Sequence, residues 1–313
     1  MPLHKGHELL LSFATHFVDI LYIVVDRIEH EVISGSLRCL WIKERFPDAV
    51  VCYLPSINPQ QPDEHPDFWT IWKHSLLDLL PKKPDYVFAS DHYGSTLASV
   101  LGATFIPFDQ ARQMVPISAT AIRLAPFDHW DYLSPCAKAF YLKRMCIIGP
   151  ESTGKTTLTK LLADHYDTHW VPEYARLFIE SKKAIQQEDM IHIAQGQIAL
   201  EDAIAPLANK ILFCDTDPLT TMLWSNWLFG ECSEVISQMA VQKKYDLYLL
   251  MKPDLEWKDD PVRYLPGKSL AFFDDCVDLL TRYNRPFLIV SGTDTARLDC
   301  AIHHVEAFIS CLA

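Results

Sequence analysis

The run Met145-Cys146-Ile147-Ile148-Gly149-Pro150-Glu151-Ser152-Thr153-Gly154-Lys155-Thr156-Thr157 constrains this chain more than any other stretch. It reads as an apolar strand, a loop bounded by Gly149 and Gly154, and a helix that opens at Thr156. The spacing fits G-x-x-x-x-G-K-[ST], a loop whose backbone N–H groups curl round a polyphosphate. Each residue type has a physical reason. The glycines let the backbone curl, the helix N-terminus adds partial positive charge, and Lys155 neutralises the outer phosphates. Thr156 offers a hydroxyl to Mg²⁺. Glu151, Ser152, Thr153 and Thr157 complete the expected ATP-binding loop, and Leu158, Leu161 and Leu162 give the following helix its apolar face.

The surrounding sequence repeats a strand–helix rhythm. Apolar β-rich runs at 145–148, 168–171, 211–214, 247–251 and 287–290 predict a five-stranded parallel sheet in the second half. The first half does the same independently, with strands expected at 21–25, 50–54, 86–89 and 104–106. Prolines 55, 59, 62 and 66 make the segment 55–66 a loop. The connecting stretch 126–143 is helical and aromatic rather than Gly/Ser-rich. Two α/β domains are therefore expected, 1–143 and 144–313.

The balance of 28 Lys and Arg against 40 Asp and Glu leaves a net charge of −12. That argues against nucleic acid or an anionic membrane as a general partner. Nine cysteines include no C-x-x-C pair, and several sit in apolar runs, which reads as reduced thiols in a cytoplasmic protein. No secretory leader is evident, and the apolar stretches are too short to span a bilayer.

Two further motifs carry chemistry in the first half. His4-Lys5-Gly6-His7 has the H-x-G-H spacing of nucleotidylyl transferases, with both imidazoles on a loop-to-helix turn where they can meet the phosphates of ATP. Gly6 would remove a Cβ where the nucleotide approaches the backbone. In Ile117-Ser118-Ala119-Thr120-Ala121-Ile122-Arg123, the hydroxyls of Ser118 and Thr120 precede Arg123 as a second phosphate clamp.

H-x-G-H, then I-S-x-T-x-I-R, then G-P-E-S-T-G-K-T resembles the NadR-type bifunctional enzymes over essentially the whole chain. These join a nicotinamide mononucleotide adenylyltransferase to a ribosylnicotinamide kinase. The resemblance implies a Rossmann-like first domain, a P-loop kinase second domain, ATP as co-substrate and Mg²⁺ as cofactor. Its small-molecule substrates would be nicotinamide riboside and nicotinamide mononucleotide, and the chain is compatible with a homo-oligomer. Trp69 and Trp72 match a tryptophan-containing segment of the family and suit pyridine stacking, although both fit a helix core equally well. The family's helix-turn-helix repressor domain has no counterpart here. The strand and G-x-F before its H-x-G-H are also missing, with Met1 standing where the aromatic residue would be. Either the true start lies upstream or adenylyl transfer is impaired.

In the second half, Glu173, Tyr174 and Arg176 follow the second strand and suit a ribosyl-pyridinium acceptor, as attracting carboxylate, stacking ring and phosphate ligand. Asp215 ends an apolar strand in the Walker-B manner and is expected at the metal with Thr156. Asp217 is a second candidate for acceptor contact or base, although Asp217-Pro218 is also a good helix start. Trp257 and Arg263 fall in a stretch similar to the family's lid, where Arg263 would close on the phosphates. Two other readings share these motifs: a P-loop kinase of another nucleoside or small metabolite, and a non-catalytic module that senses NAD or ATP.

Overall fold

Residues 1–182, 184–257, 264 and 266–310 are described by the computed structural model, and they divide into units Met1–Phe140 and Tyr141–Ala313. In the first unit, α1 (Lys5–Phe17) precedes β1 (Tyr22–Arg27), α2 (Gly35–Arg45), β2 (Val50–Ile57), α3 (Phe68–Leu79) and β3 (Tyr86–Ala89). α4 (Gly94–Leu101), β4 (Thr104–Pro107), α5 (Ala119–Leu124) and α6 (Pro135–Tyr141) follow. The second unit opens with β5 (Lys143–Ile148), α7 (Lys155–His165), β6 (Trp170–Val171), α8 (Tyr174–Lys182), α9 (Asp189–Ile204) and β7 (Ile211–Asp215). It continues through α10 (Pro218–Phe229), α11 (Glu234–Gln242), β8 (Leu247–Met251), α12 (Ser269–Arg282), β9 (Phe287–Val290) and α13 (Asp294–Ser310).

The second unit is built on one parallel sheet in the order β6-β7-β5-β8-β9. Strands β5, β7 and β8 are buried along their whole length apart from the start of β5, which is why they read as continuous apolar runs rather than alternating ones. Met145, Ile147, Phe213 and Leu249 pack against Leu158 and Leu162 of α7 and Ala301 and Val305 of α13. This layer carries the loop after β5 and the carboxylate at the end of β7.

Two strand boundaries differ from expectation for identifiable reasons. Only Trp170–Val171 of 168–171 forms ladder, because Thr168 bonds through its side chain, donating from Oγ1 to the Ile211 carbonyl (2.6 Å) and accepting from the Asn209 N–H (2.8 Å). β2 runs on to Ile57, through Pro55. Its register steps from Asp26↔Leu54 to Arg27↔Ile57, so the proline sits in an irregularity where no ladder donor is needed.

In the first unit the strands form two separate parallel pairs, β1-β2 and β3-β4. The unpaired edges of β1 and β3 both border a cavity of about 840 Å³. α1 covers it with Leu10, Ala14 and Phe17, and α3 and α4 add Leu76, Leu97 and Leu101. No strand among the described residues pairs with either edge. Backbone groups on those edges have no ladder partner, whereas those of β5 are bonded on both sides. Amide hydrogen exchange should therefore run at least ~100-fold faster on β1 and β3 than on β5 and β7. Equal protection in the four strands would contradict this arrangement.

Candidate active site

The loop between β5 and α7 is shaped by two backbone positions. Gly149 adopts φ +140°, and a Cβ there would stand 2.8 Å from the Met251 carbonyl oxygen, so a side chain is excluded twice over. Gly154, at φ +80°, is the left-handed residue from which α7 starts. Lys155 follows, its Nζ donating to the carbonyls of Gly149 and Pro150 at 3.0 Å each. The Thr156 hydroxyl donates to Asp215 Oδ2 at 2.5 Å.

Asp215 is fully buried, and its Oδ1 has no hydrogen-bond partner. Burial, and then the nearby Glu173 carboxylate, raise its pKa to about 7, against the pull of Lys155, Thr156 and Arg176. A buried carboxylate oxygen without a partner, beside a threonine hydroxyl and a lysine, suits a hard cation that brings phosphate and water ligands with it. Mg²⁺ fits this donor set. No group of three or more His, Cys, Asp or Glu among the described residues could hold a metal by itself.

A cavity of about 350 Å³ lies against this centre, lined on one side by residues 151–157 of the loop. Glu173 and Arg176 line it at the start of α8, and Ile179, Ile193 and Trp224 provide an apolar wall. Trp224 is backed by Phe272, with ring centroids 4.5 Å apart. Gln197 is buried and holds the floor together, accepting from the Tyr174 N–H (2.8 Å) and donating to the Pro172 carbonyl (3.4 Å). Glu151 accepts from the Tyr264 N–H through both carboxylate oxygens at 3.1 Å, tying residue 264 to the loop.

Not every expected residue faces this cavity. Asp217 is a correction: it is buried and serves as the N-cap of α10. Oδ1 takes the Thr220 N–H (2.8 Å) and hydroxyl (2.7 Å), and Oδ2 takes the Tyr248 hydroxyl (2.8 Å). Both oxygens are engaged inside the core, and Asp217 does not line the cavity. Tyr174 is a second correction, because its ring lies on α9, where a Cβ on Gly196 would stand 2.1 Å from it. Trp257 is half-buried but does not line the cavity, and Arg263 lies outside the described residues. Sequence reasoning missed Met190, Ile193 and Gln197, although their i, i+3, i+7 spacing marks one face of α9. It also missed Thr220, Thr221 and Trp224 on α10, which is apolar around most of its circumference and so gives no facing signal.

In the first unit, His4 is buried and caps α1, its Nδ1 accepting from the Gly6 N–H (3.0 Å) and the His7 N–H (3.4 Å). Gly6 is required for a different reason from the one expected. A Cβ there would stand 2.9 Å from the His4 ring itself. Burial, then the Met1 amine and Arg112, lower the His4 pKa to about 4. Burial and His4 push His7 well below its ordinary value. Both imidazoles are therefore neutral at pH 7, and their ring centroids lie 3.8 Å apart with the planes tilted by 35°. Ser118 caps the short α5 through the Ala121 N–H (3.1 Å). Arg123 donates to Thr120 Oγ1 (2.9 Å) and to the Met1 carbonyl (3.2 Å), so the two motifs meet. Trp72 is anchored by its indole N–H on the Pro59 carbonyl (2.8 Å) and borders the cleft between the strand pairs. Trp69 packs edge-on to Phe68.

A phosphate loop after the central strand, a carboxylate ending the neighbouring strand and the order β6-β7-β5-β8-β9 define the second unit as a P-loop nucleotide-binding unit of kinase type. Residues 144–297 match a family described as AAA domain. Over 94% of its length, the chain is 28% identical to the Trifunctional NAD biosynthesis/regulator protein NadR of Salmonella typhimurium, covering 77% of that protein. The same figures hold for the Trifunctional NAD biosynthesis/regulator protein NadR of Escherichia coli. Among solved structures, a NadR protein in complex with NR matches 98% of this chain with TM-score 0.77 at 22% identity, and 93% of that chain is covered. A NadR protein in complex with NAD and AMP-PNP matches with TM-score 0.75 at 21% identity, over 98% of this chain and 93% of that one. The chain is thus similar to NadR-type proteins over nearly its whole length, and it shares their fold.

Two outcomes follow from the electrostatics. Replacing Asp215 by Asn should lower kcat for phosphoryl transfer at least ~100-fold, and Mg²⁺ titration should no longer restore it. In the first unit, the unfolded chain binds protons at His4 and His7 below about pH 6.5 while the folded chain does not. Stability is thus complete above that pH and falls as pH drops towards 4. Denaturant titrations at pH 7 and pH 5 should show this loss, and His4→Asn, which keeps an N-cap side chain, should shrink it.

Proposed function

We propose that this chain is a NAD salvage enzyme whose second unit is an ATP-dependent kinase of nicotinamide riboside. The observation that carries the reading is the Lys155–Thr156–Asp215 centre facing Glu173 and Arg176 across one cavity. Its relatives act in NAD biosynthesis, and a solved protein of the same fold binds NR. Backbone N–H groups of the loop and Lys155 would hold the β- and γ-phosphates of ATP. Bound Mg²⁺ would supply charge neutralisation between those phosphates, held from the protein side by Thr156 Oγ1 and Asp215 Oδ1.

The acceptor would lie over the apolar wall. Glu173 faces its cationic ring and hydroxyls, and Trp224 offers a flat surface backed by Phe272. The primary hydroxyl oxygen would attack the γ-phosphorus. The new O–P bond forms as the bond to the β,γ-bridging oxygen breaks, and ADP leaves. Glu173, which lines the cavity, would take the hydroxyl proton, because Asp217 is spent on α10 and Asp215 on the cation side. Arg176 would hold the transferred group's negative charge. The first unit would then join nicotinamide mononucleotide to a second ATP, releasing pyrophosphate and giving NAD, with His4 and Arg123 at the phosphates.

The test assays the two half-reactions separately with the whole chain. Nicotinamide riboside and Mg-ATP should yield the mononucleotide, with ordinary nucleosides at least ~10-fold poorer in kcat/KM. Lys155→Ala should lower that turnover at least ~100-fold. Nicotinamide mononucleotide with Mg-ATP, scored for NAD, tests the first unit. Preference for an ordinary nucleoside would leave a kinase of another substrate, and nucleotide binding without turnover in either tube would leave a sensing module.

A further inference from the structure

Arg297 stands in the first turns of α13, at the far end of the chain from the phosphate loop, yet its buried guanidinium reaches the loop backbone. Nη1 donates to the Thr153 carbonyl, Nε to the Gly292 carbonyl (2.7 Å), and Nη2 to the Lys252 carbonyl (3.3 Å) and the Asp254 carboxylate. Asp254 completes the frame by accepting the Gly292 N–H on its other oxygen (2.9 Å). Four groups from three loops converge on one side chain, with its charge compensated by Asp254.

The peptide between Thr153 and Gly154 gives this cluster its functional meaning. In a trans peptide the C=O and the following N–H point in opposite directions. A guanidinium that fixes the Thr153 carbonyl outward therefore fixes the Gly154 N–H inward, towards the phosphate cradle. Gly154 needs that restraint, since its φ of +80° lies in a region where glycine is free to move. The Thr153 hydroxyl adds a second restraint by donating to the Pro150 carbonyl (2.8 Å). Asp254 also stands two residues before Glu256, where the segment that leads on to residue 264 begins, and its neighbour Leu255 lies 3.6 Å from a Cβ position at Gly154.

We propose that Arg297, held by Asp254, is a positioning residue for nucleotide phosphates: it aims the Gly154 amide into the cradle without touching the ligand. The assignment rests on the reading that the second unit binds ATP. It is tested with the whole chain by calorimetric titration of Mg-AMP-PNP, by KM and kcat for both substrates, and by thermal melting. Arg297→Met should weaken AMP-PNP and raise the ATP KM at least ~10-fold, while the riboside KM stays within about 2-fold. Arg297→Lys, which keeps the charge but loses the fork, should recover part of the affinity, and Asp254→Asn should weaken nucleotide binding in the same direction. A purely structural role predicts something else: lower melting temperatures with both KM values moving together, or unchanged ATP affinity in soluble Arg297→Lys. Either result overturns the assignment. Failure of the wild-type chain to bind AMP-PNP would instead overturn the nucleotide reading, and this one with it.

Discussion

A left-handed backbone at Thr216 decides which way two carboxylates face, and the kinase-type centre depends on it. Thr216 takes φ +69°, unusual for a β-branched residue and costing on the order of 1–3 kcal/mol. The twist comes directly after β7, so Asp215 ends on the loop side while Asp217 enters the core. What holds it is visible on both flanks. The Thr216 N–H bonds to the Ile147 carbonyl (3.0 Å) of the central strand, and Asp217 is fixed by Thr220 and Tyr248. Strain at the cavity wall is thus offset by hydrogen bonds away from it.

The buried carboxylates of this sheet can be sorted by what their oxygens do. Glu201 is fully enclosed, and Arg144 (2.9 Å), Lys243 (2.9 Å) and the Tyr245 hydroxyl (2.7 Å) use both oxygens. Asp217 likewise has both occupied. Asp215 alone among these three keeps an oxygen without a partner and has another acidic group as neighbour. A structural carboxylate in a low-dielectric interior is normally satisfied, because leaving it unpaired costs several kcal/mol. The unsatisfied one is the one set for a ligand. Lys155 and Arg176 lie on the same side, so positive charge is already gathered where phosphates would come.

Much of the second unit was legible in the sequence because its signals are local. A strand, a glycine-bounded loop and a helix follow each other without interruption, and β7 ends in its acidic residues in plain view. The direction of a side chain was not legible. Asp215 and Asp217 look alike as letters, and only the φ of Thr216 separates them. Tyr174 sits between two residues that line the cavity, yet its ring turns to Gly196, a long-range packing fact. The acceptor wall was hidden for a related reason, since the buried face of α9 carries polar Asp189, Gln197 and Glu201 and α10 is apolar around most of its circumference. Arg297 reads as one more helix residue until the fold brings it beneath the loop, 144 positions earlier in the chain.

The first unit places a different limit on its chemistry. Nδ1 of His4 is an acceptor for two backbone N–H groups, so the ring proton sits on Nε2. Burial keeps that ring neutral. His4 can therefore give a phosphate oxygen a hydrogen bond but not a full charge, and His7, tilted against it and buried, is held neutral too. Charge developing on a leaving pyrophosphate would have to be met by arginine. Arg123 is the candidate, because its guanidinium is exposed at the place where α5 meets the chain before α1. An adenylyl-transfer site built this way would divide its labour: neutral imidazoles would orient the phosphates, and a cation on a separate helix would stabilise the charge.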